Sequence, residues 1–70
     1  MCLSDVFAVK GDAEELLFRN VAVVSQQGEK LVFSDILGRQ NEVTGKIRSI
    51  DLLENIIRID TNNSETGEHA

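Results

Sequence analysis

Short runs of hydrophobic residues alternate with polar positions through the first sixty residues, and turn-forming residues separate the runs. A period of two is typical of β-strands, and the valines within Val21–Val24 favour the same structure. Gly11, Gly28 and the segment Asp35–Gly38 divide the runs, the last as a loop or short helical turn. The pattern predicts five strands, at about Cys2–Val9, Glu15–Ser25, Lys30–Ser34, Gln40–Leu53 and Ile56–Asp60.

The fourth predicted strand changes its hydrophobic parity midway. Its apolar positions are odd-numbered up to Ile47 and even-numbered from Ile50 onward. A β-bulge or sharp bend near Arg48-Ser49 reconciles the two halves, and small barrels use such bends to carry one strand between two sheets. One bent strand among five predicts an all-β fold, a small five-stranded, partly open barrel of the SH3-like kind.

The last hairpin has a register that the sequence itself suggests. With a two-residue turn at Glu54-Asn55, Asp51 falls opposite Arg58 and forms a complementary cross-strand pair. A slip of one residue destroys this match. The same register predicts a shared apolar face made of Ile50, Leu52, Ile57 and Ile59.

Two predicted strands are apolar on both faces. In strand one, Leu3, Phe7 and Val9 share the face expected to be the core side, with Asp5 as its misfit. Cys2, Ser4, Val6 and Ala8 share the opposite face, which is expected to point toward the self-interface. A monomer of this size should present a polar outer side, so the excess predicts a buried self-interface, that is, a homodimer. The hairpin at Gln27-Gly28 shows the same excess, with Ala22, Val24, Leu31 and Phe33 predicted on one face and Val21, Val23 and Val32 on the other.

Length and composition allow a single small domain. We expect residues 1–60 to form the barrel domain and residues 61–70, which contain no large apolar side chain, to form a flexible polar tail. A chain of this size buries only about 60% of its unfolded surface. Its single cysteine excludes an internal disulfide, so dimerisation or a metal is the expected supplement.

The charge balance and the absence of certain motifs exclude several function classes. The formal net charge is −5, which opposes non-specific binding to nucleic acid. No apolar run approaches the roughly 20 residues that span a bilayer, and no export signal is visible. A free cysteine then fits the cytoplasm. The only histidine, His69, lies in the predicted tail, so we expect no Ser-His-Asp arrangement and no enzymatic activity.

Cys2 has the most specific chemistry in the chain. With Met1 retained, the Met1 amine, the Cys2 amide nitrogen and the Cys2 sulfur form adjacent five-membered chelate rings. With Met1 removed, the Cys2 amine and sulfur still form one ring. Such sulfur and nitrogen donors suit Ni(II) or Cu(II), and two chains related by a twofold axis can supply a square-planar set. A lone cysteine is more often a buried small apolar residue, so both interpretations stay open on chemistry alone.

Several segments together resemble a known family: Met1–Ser4, Val6–Val9, Glu14-Glu15, Asn20–Val24, Ser34–Gly38 and Gly45–Leu53. They are similar to the CooT family of small nickel-binding proteins, whose members open with Met-Cys followed by a short strand. The likeness covers residues 1 to about 60. It departs from the family in two places: Ser4 stands where alanine is usual, and the tail ends in Glu68-His69.

The resemblance implies an SH3-like barrel, a homodimer, and a Ni(II) site that uses Cys2 at or near the subunit interface. Relatives are implicated in nickel delivery to carbon monoxide dehydrogenase, which makes a nickel enzyme the implied client. The wider family also carries a predicted RNA-binding label. An RNA-binding module using Lys46 and Arg48 is therefore one alternative, although Asp51 and Asp60 lie close by in the sequence and make nucleic acid an unfavoured partner. A metal-independent assembly module is the other.

Overall fold

Five strands account for most of the described chain. The structure is a computed structural model that describes residues 3–61, so Met1, Cys2 and the predicted tail at 62–70 lie outside the described residues. The all-β prediction is confirmed, with strand ends within a few residues of those expected. The strands are β1 (Ser4–Lys10), β2 (Ala13–Gln27), β3 (Lys30–Asp35), β4 (Gln40–Asp51) and β5 (Ile56–Thr61).

The strands form a closed ring in the order β1-β2-β3-β4-β5. Successive strands pair antiparallel, as short turns require, and the ring closes through a parallel pairing of β1 with β5. In that pairing Val6 lies beside Ile57 and Ala8 beside Ile59. The small barrel is as predicted, but its edges meet, whereas the sequence suggested a partial opening. Full closure removes free sheet edges.

The core fills the inside of this ring with aliphatic side chains. The inward face of β1 is the opposite of the expected one, because Val6 and Ala8 are buried. Phe7 and Val9, which share the face of Asp5, are only half-buried. Phe18 packs against the core, and its ring centroid lies 5.3 Å from that of Phe33. Val32 is also buried, on the side of β3 opposite to its core neighbours. The central cluster consists of Val6, Val21, Leu31, Phe33, Ile57 and Ile59.

β2 carries register shifts against both of its neighbours that the sequence did not reveal. Val6 pairs with Phe18 and Ser4 with Val21, so β2 has one extra residue against β1 in this stretch. Asn20 has a φ of 59°, the left-handed conformation typical of such a bulge. A second shift against β3 follows immediately. As a result Val21 is in the core and Ala22 is exposed, so the predicted faces of these two residues are wrong.

The bend predicted in β4 is confirmed at the predicted place. Ile47 pairs with Ile59 and Ser49 with Arg58, which leaves Arg48 as the extra residue on β4. This bulge lets β4 pair with β3 along its first half and with β5 along its second half. The strand thereby turns the corner of the barrel, which is the role that the parity change suggested.

The predicted register of the last hairpin is wrong. The turn spans four residues, Leu52–Asn55, and Asp51 pairs with Ile56 instead of falling opposite Arg58. The cause is local: Asp51 Oδ1 accepts hydrogen bonds from the backbone N–H groups of Leu53 (3.0 Å) and Glu54 (2.9 Å). An aspartate that satisfies two amides in this way stabilises a longer turn. Its carboxylate therefore belongs to the turn.

Candidate metal site and its surroundings

The two residues predicted to bind metal, Met1 and Cys2, lie outside the described residues. The described chain starts at Leu3, which is half-buried, and β1 begins at Ser4, which pairs with Val21. The start of β1 lies between β2 and β5, so the first described residues belong to the barrel wall.

The Leu52–Asn55 turn adjoins the start of β1 directly. The Asp5 N–H donates to the Asn55 carbonyl oxygen at 3.0 Å, and Asp5 also pairs with Ile56. The turn presents the two most exposed large apolar side chains of residues 3–61: Leu52 is 82% exposed and Leu53 is 92% exposed. We call Leu52, Leu53 and the half-exposed Ile50 the turn patch.

The turn patch is a feature that sequence reasoning assigned wrongly. The predicted register placed Ile50 and Leu52 on a core face, whereas both are exposed and Ile57 and Ile59 alone of that set are buried. The apolar excess expected on the second face of the Gln27-Gly28 hairpin is smaller, because Val21 and Val32 are buried and only Val23 of that set is exposed. The adjacent residues Leu52 and Leu53 were the feature of the sequence from which an exposed apolar turn could have been predicted.

The described side chains provide no second metal site. Within residues 3–61, no three His, Cys, Asp or Glu side chains converge closely enough to hold a metal ion. Asp5, the acidic residue nearest in sequence to Cys2, accepts a hydrogen bond from the Asn20 N–H at 3.3 Å. The sulfur and nitrogen atoms of Met1-Cys2 thus stay the donor set to be tested.

The basic residues of β4 and β5, which an RNA-binding module would use, are largely neutralised by carboxylates. Arg48 Nε lies 3.2 Å from the Asp60 carboxylate, and Arg58 Nε lies 2.8 Å from Glu14 Oε2. Lys46 lies opposite Asp60 in the β4–β5 register but forms no ion pair with it, since the Asp60 carboxylate is paired with Arg48. Paired cations of this kind offer little free charge to a phosphate backbone.

A second ordered turn follows β3 and centres on Asp35. Its Oδ1 accepts from the N–H groups of Leu37 and Arg39, both at 2.9 Å, and its Oδ2 lies 2.7 Å from Arg39 Nε. Desolvation, the largest single influence, raises the pKa of Asp35. The hydrogen bonds from Arg39 and Leu37 and the charge of Arg39 together outweigh it and hold the pKa below its usual value. The turn displays Ile36, 56% exposed, and Leu37, 73% exposed.

Fold and surface together describe a small β-barrel with an exposed apolar turn beside its N-terminal strand. The sequence model of the family described as CO dehydrogenase accessory protein CooT matches residues 1–60, a range that includes Met1 and Cys2. This chain belongs to the CooT family. The resemblance seen in the sequence is therefore confirmed.

The chain is similar to a solved structure and to a further protein sequence. The chain is similar to the crystal structure of a protein assigned as CooT from Carboxydothermus hydrogenoformans, with a TM-score of 0.80, 28% identity, and coverage of 87% of this chain and 98% of the other. It is also 39% identical over 46 residues to an uncharacterized protein of Methanocaldococcus jannaschii, covering 66% of this chain and 81% of the relative.

Family membership defines the class of activity. CooT is an accessory protein of CO dehydrogenase and not itself an enzyme, which agrees with the expectation that this chain has no catalytic activity and supports a role in maturation. CO dehydrogenase as a client also links the family to a nickel enzyme. Residues 3–61 contain no helix of the length and apolarity that crossing a bilayer requires.

Proposed function

We propose that this protein binds Ni(II) through Cys2 as a homodimer and carries it, as cargo, to a nickel enzyme of the CO dehydrogenase type in the cytoplasm. The observation that carries the proposal is the family match, which begins at residue 1 and therefore includes the Met1-Cys2 start. In this proposal the barrel domain, expected at residues 1–60, extends to Thr61 at the end of β5, and the rest of the expected tail at 61–70 acts as a polar tail.

The donor chemistry of the N-terminus suits nickel. A thiolate next to an ammonium group is favoured by charge, and a metal that displaces its proton binds more tightly as the pH rises. One chain supplies two or three sulfur and nitrogen donors. Two chains complete a square-planar set, which Ni(II) accepts and which zinc, with its tetrahedral preference, does not.

The turn patch supports both the proposed dimer and the place where its two chains meet. Covalent geometry keeps the Cα of Cys2 within about 7 Å of that of Ser4, and the neighbouring Asp5 is hydrogen-bonded to the Leu52–Asn55 turn. A twofold contact through Leu52 and Leu53 would bury apolar surface that a monomer leaves in water. The same contact would bring two N-terminal segments together, so one interface serves both dimerisation and metal binding.

Nickel titration of the purified protein tests the metal site. We expect thiolate-to-nickel charge-transfer absorption that saturates at one nickel per two chains and strengthens with pH. Cys2→Ser should abolish this absorption, whereas His69→Gln, which removes the only imidazole, should leave it unchanged. Full nickel absorption in the Cys2→Ser variant would show that the metal binds elsewhere.

Mass measurement under native conditions tests the dimer. Leu53→Ser should shift the protein toward monomer and weaken nickel binding, because both depend on the same contact. Leu37→Ser is the matched control, since Leu37 is also exposed but lies in the turn after β3. Equal effects of the two substitutions would contradict the assigned interface.

The same measurements separate the alternatives. An RNA-binding module predicts salt-sensitive retention of RNA that Lys46→Glu weakens. The carboxylate partners of Arg48 and Arg58 argue against it, and an unshifted RNA at low salt would remove it. A metal-independent assembly module predicts a dimer that neither nickel nor Cys2→Ser alters.

A further inference from the structure

A cleft of about 380 Å³ opens on the barrel between β2, β3 and the start of β4. Its floor is apolar and includes Phe18 and Phe33, which form the tilted aromatic pair of the core. Its rim is polar and charged, with Arg19 on one side and Asp35 and Arg39 on the other. This volume is at the lower end of the range for ligand pockets, about 300 to 1,000 Å³, which suits one large side chain and a short length of backbone.

Arg19 is unusual among the basic residues of this acidic chain. All seven Lys and Arg residues lie within residues 3–61, and five of them pair with a carboxylate. Arg19 and Lys46 are the two for which the described part of the chain supplies no carboxylate partner. Lys46 lies on β4 away from the cleft, whereas Arg19 lines it. The cleft thus combines an apolar floor with an uncompensated guanidinium group.

The bulge in β2 places Arg19 at this rim. Phe18 packs against the core, and the extra residue of β2 falls between Phe18 and Val21, where Asn20 takes a positive φ. Asp5 fixes this conformation by accepting a hydrogen bond from the Asn20 N–H at 3.3 Å. Bulges commonly redirect a side chain in this way. The position of Arg19 is therefore built into the backbone.

The opposite rim continues into an exposed apolar turn. Asp35 and Arg39 bracket Ile36 and Leu37, and the Asp35 carboxylate holds the turn through two backbone hydrogen bonds and the Arg39 guanidinium. The charge of Arg39 is thereby compensated, so Arg19 is the group available to an incoming anion. Ile36 and Leu37 lie between the two residues of this rim in the chain, and both are exposed, so they offer preformed apolar surface beside the cleft.

We propose that the cleft binds a short segment of a partner protein that carries a carboxylate next to a large apolar side chain. The carboxylate pairs with Arg19 in a charge-assisted hydrogen bond, and the apolar side chain packs over the half-buried Leu17 and Phe18. Neighbouring apolar residues of the segment contact Ile36 and Leu37. Charge complementarity supports an acidic partner segment. The net charge of −5 repels acidic partners over most of the surface, whereas the unpaired Arg19 can attract one at the cleft.

The test uses the full ¹⁵N-labelled chain and a blocked peptide, acetyl-Gly-Glu-Leu-Asp-Phe-Glu-Gly-amide. The peptide should shift the amide signals of Phe18, Phe33 and Arg39 in a saturable manner. Arg19→Gln should weaken binding by at least about tenfold, as expected for losing a charge-assisted bond. Lys46→Gln, the matched control on the other unpaired cation, should leave the affinity within about twofold.

Further peptides, a small carboxylate and a protein variant identify what the cleft binds. Binding should vanish when lysines replace the three acidic residues of the peptide, and it should weaken when alanines replace its leucine and phenylalanine. Phenylacetate that binds as tightly as the peptide would assign the cleft to a small carboxylate and overturn the proposal. Changed cleft signals in a Glu65→Gln/Glu68→Gln variant without peptide would assign it to the acidic end of this chain, with the same consequence.

Two other results would contradict the proposed peptide site, and nickel absorption separates this proposal from the metal site. Absence of shifts at millimolar peptide, or equal weakening by Lys46→Gln and Arg19→Gln, contradicts the assigned site. Nickel absorption provides an independent readout, because Arg19→Gln should leave it unchanged. Failure of the cleft to bind peptide therefore leaves the nickel proposal intact, and loss of nickel binding in Cys2→Ser leaves the cleft intact.

Discussion

Ile59 gives the most direct test of how the barrel is held together. Its side chain is completely buried, and in register it lies between Ala8 of β1 and Ile47 of β4. It thus contributes to the core at the point where the first and last strands close the ring. Ile59→Val removes one buried methylene group and leaves the β-branched shape that a strand favours.

The expected loss follows from the burial of that group. Transferring one methylene group from water to an apolar interior contributes about 0.8 kcal/mol. The small cavity left behind adds to this, and measured Ile→Val losses in cores are about 0.5–1.5 kcal/mol. Because Ile59 has no exposed surface, we expect a loss near the upper end, about 1–1.5 kcal/mol. In a domain of this size each kcal/mol lowers the Tm by about 4–8 °C.

Urea denaturation followed by far-UV circular dichroism measures this loss, since the chain has no Trp or Tyr for fluorescence. Protein concentration must be equal in all samples, because a dimer has a concentration-dependent midpoint. Ile36→Val is the matched control: Ile36 is 56% exposed and lies outside the turn patch, so its loss should be below about 0.5 kcal/mol. An equal loss for the two variants would refute the assignment of Ile59 to the closing core.

Three further substitutions test local features. Gly45→Ala should destabilise by about 1–3 kcal/mol, measured by urea denaturation, because an added Cβ would overlap the Asp60 carbonyl oxygen; an unchanged midpoint would contradict this contact. Asn55→Ala should cost about 1 kcal/mol by the same assay, since Asn55 has a φ of 60°, whereas Asn55→Gly should be nearly neutral. Asp35→Asn should lower the Tm at neutral pH. Because folding lowers the pKa of Asp35, the gap to the parent should narrow as the pH falls below about 4, and a pH-independent gap would contradict the assignment.

The strands were predictable because each carries a local signal. Alternating apolar residues identified all five, and the parity change between Ile47 and Ile50 located the bulge at Arg48. The register of the last hairpin was not predictable from apolar matching alone. The Asp51 side chain stabilises a four-residue turn, and this polar contact outweighs the apolar alignment that favoured a shorter one.

The bulge in β2 had no comparable signal. Asn20 adopts a conformation that glycine usually takes, and its hydrogen bond to Asp5 joins residues fifteen positions apart. Such a contact exists only once the strands have paired. For the same reason the cleft beside Arg19 was not foreseen. The donor role of Cys2 stays a prediction, and it could be made from the sequence because it depends only on neighbouring atoms in the chain.

Pairing of β1 with β5 has a consequence for the order of biosynthesis. β1 is synthesised first but gains its second neighbour last, because β5 is the last of the five strands to leave the ribosome. Until then β1 has a free edge on that side, and the Asn55 carbonyl that anchors Asp5 is absent. The start of β1 therefore acquires its second neighbour only after β5 has been synthesised, so closure of the barrel is a post-translational event.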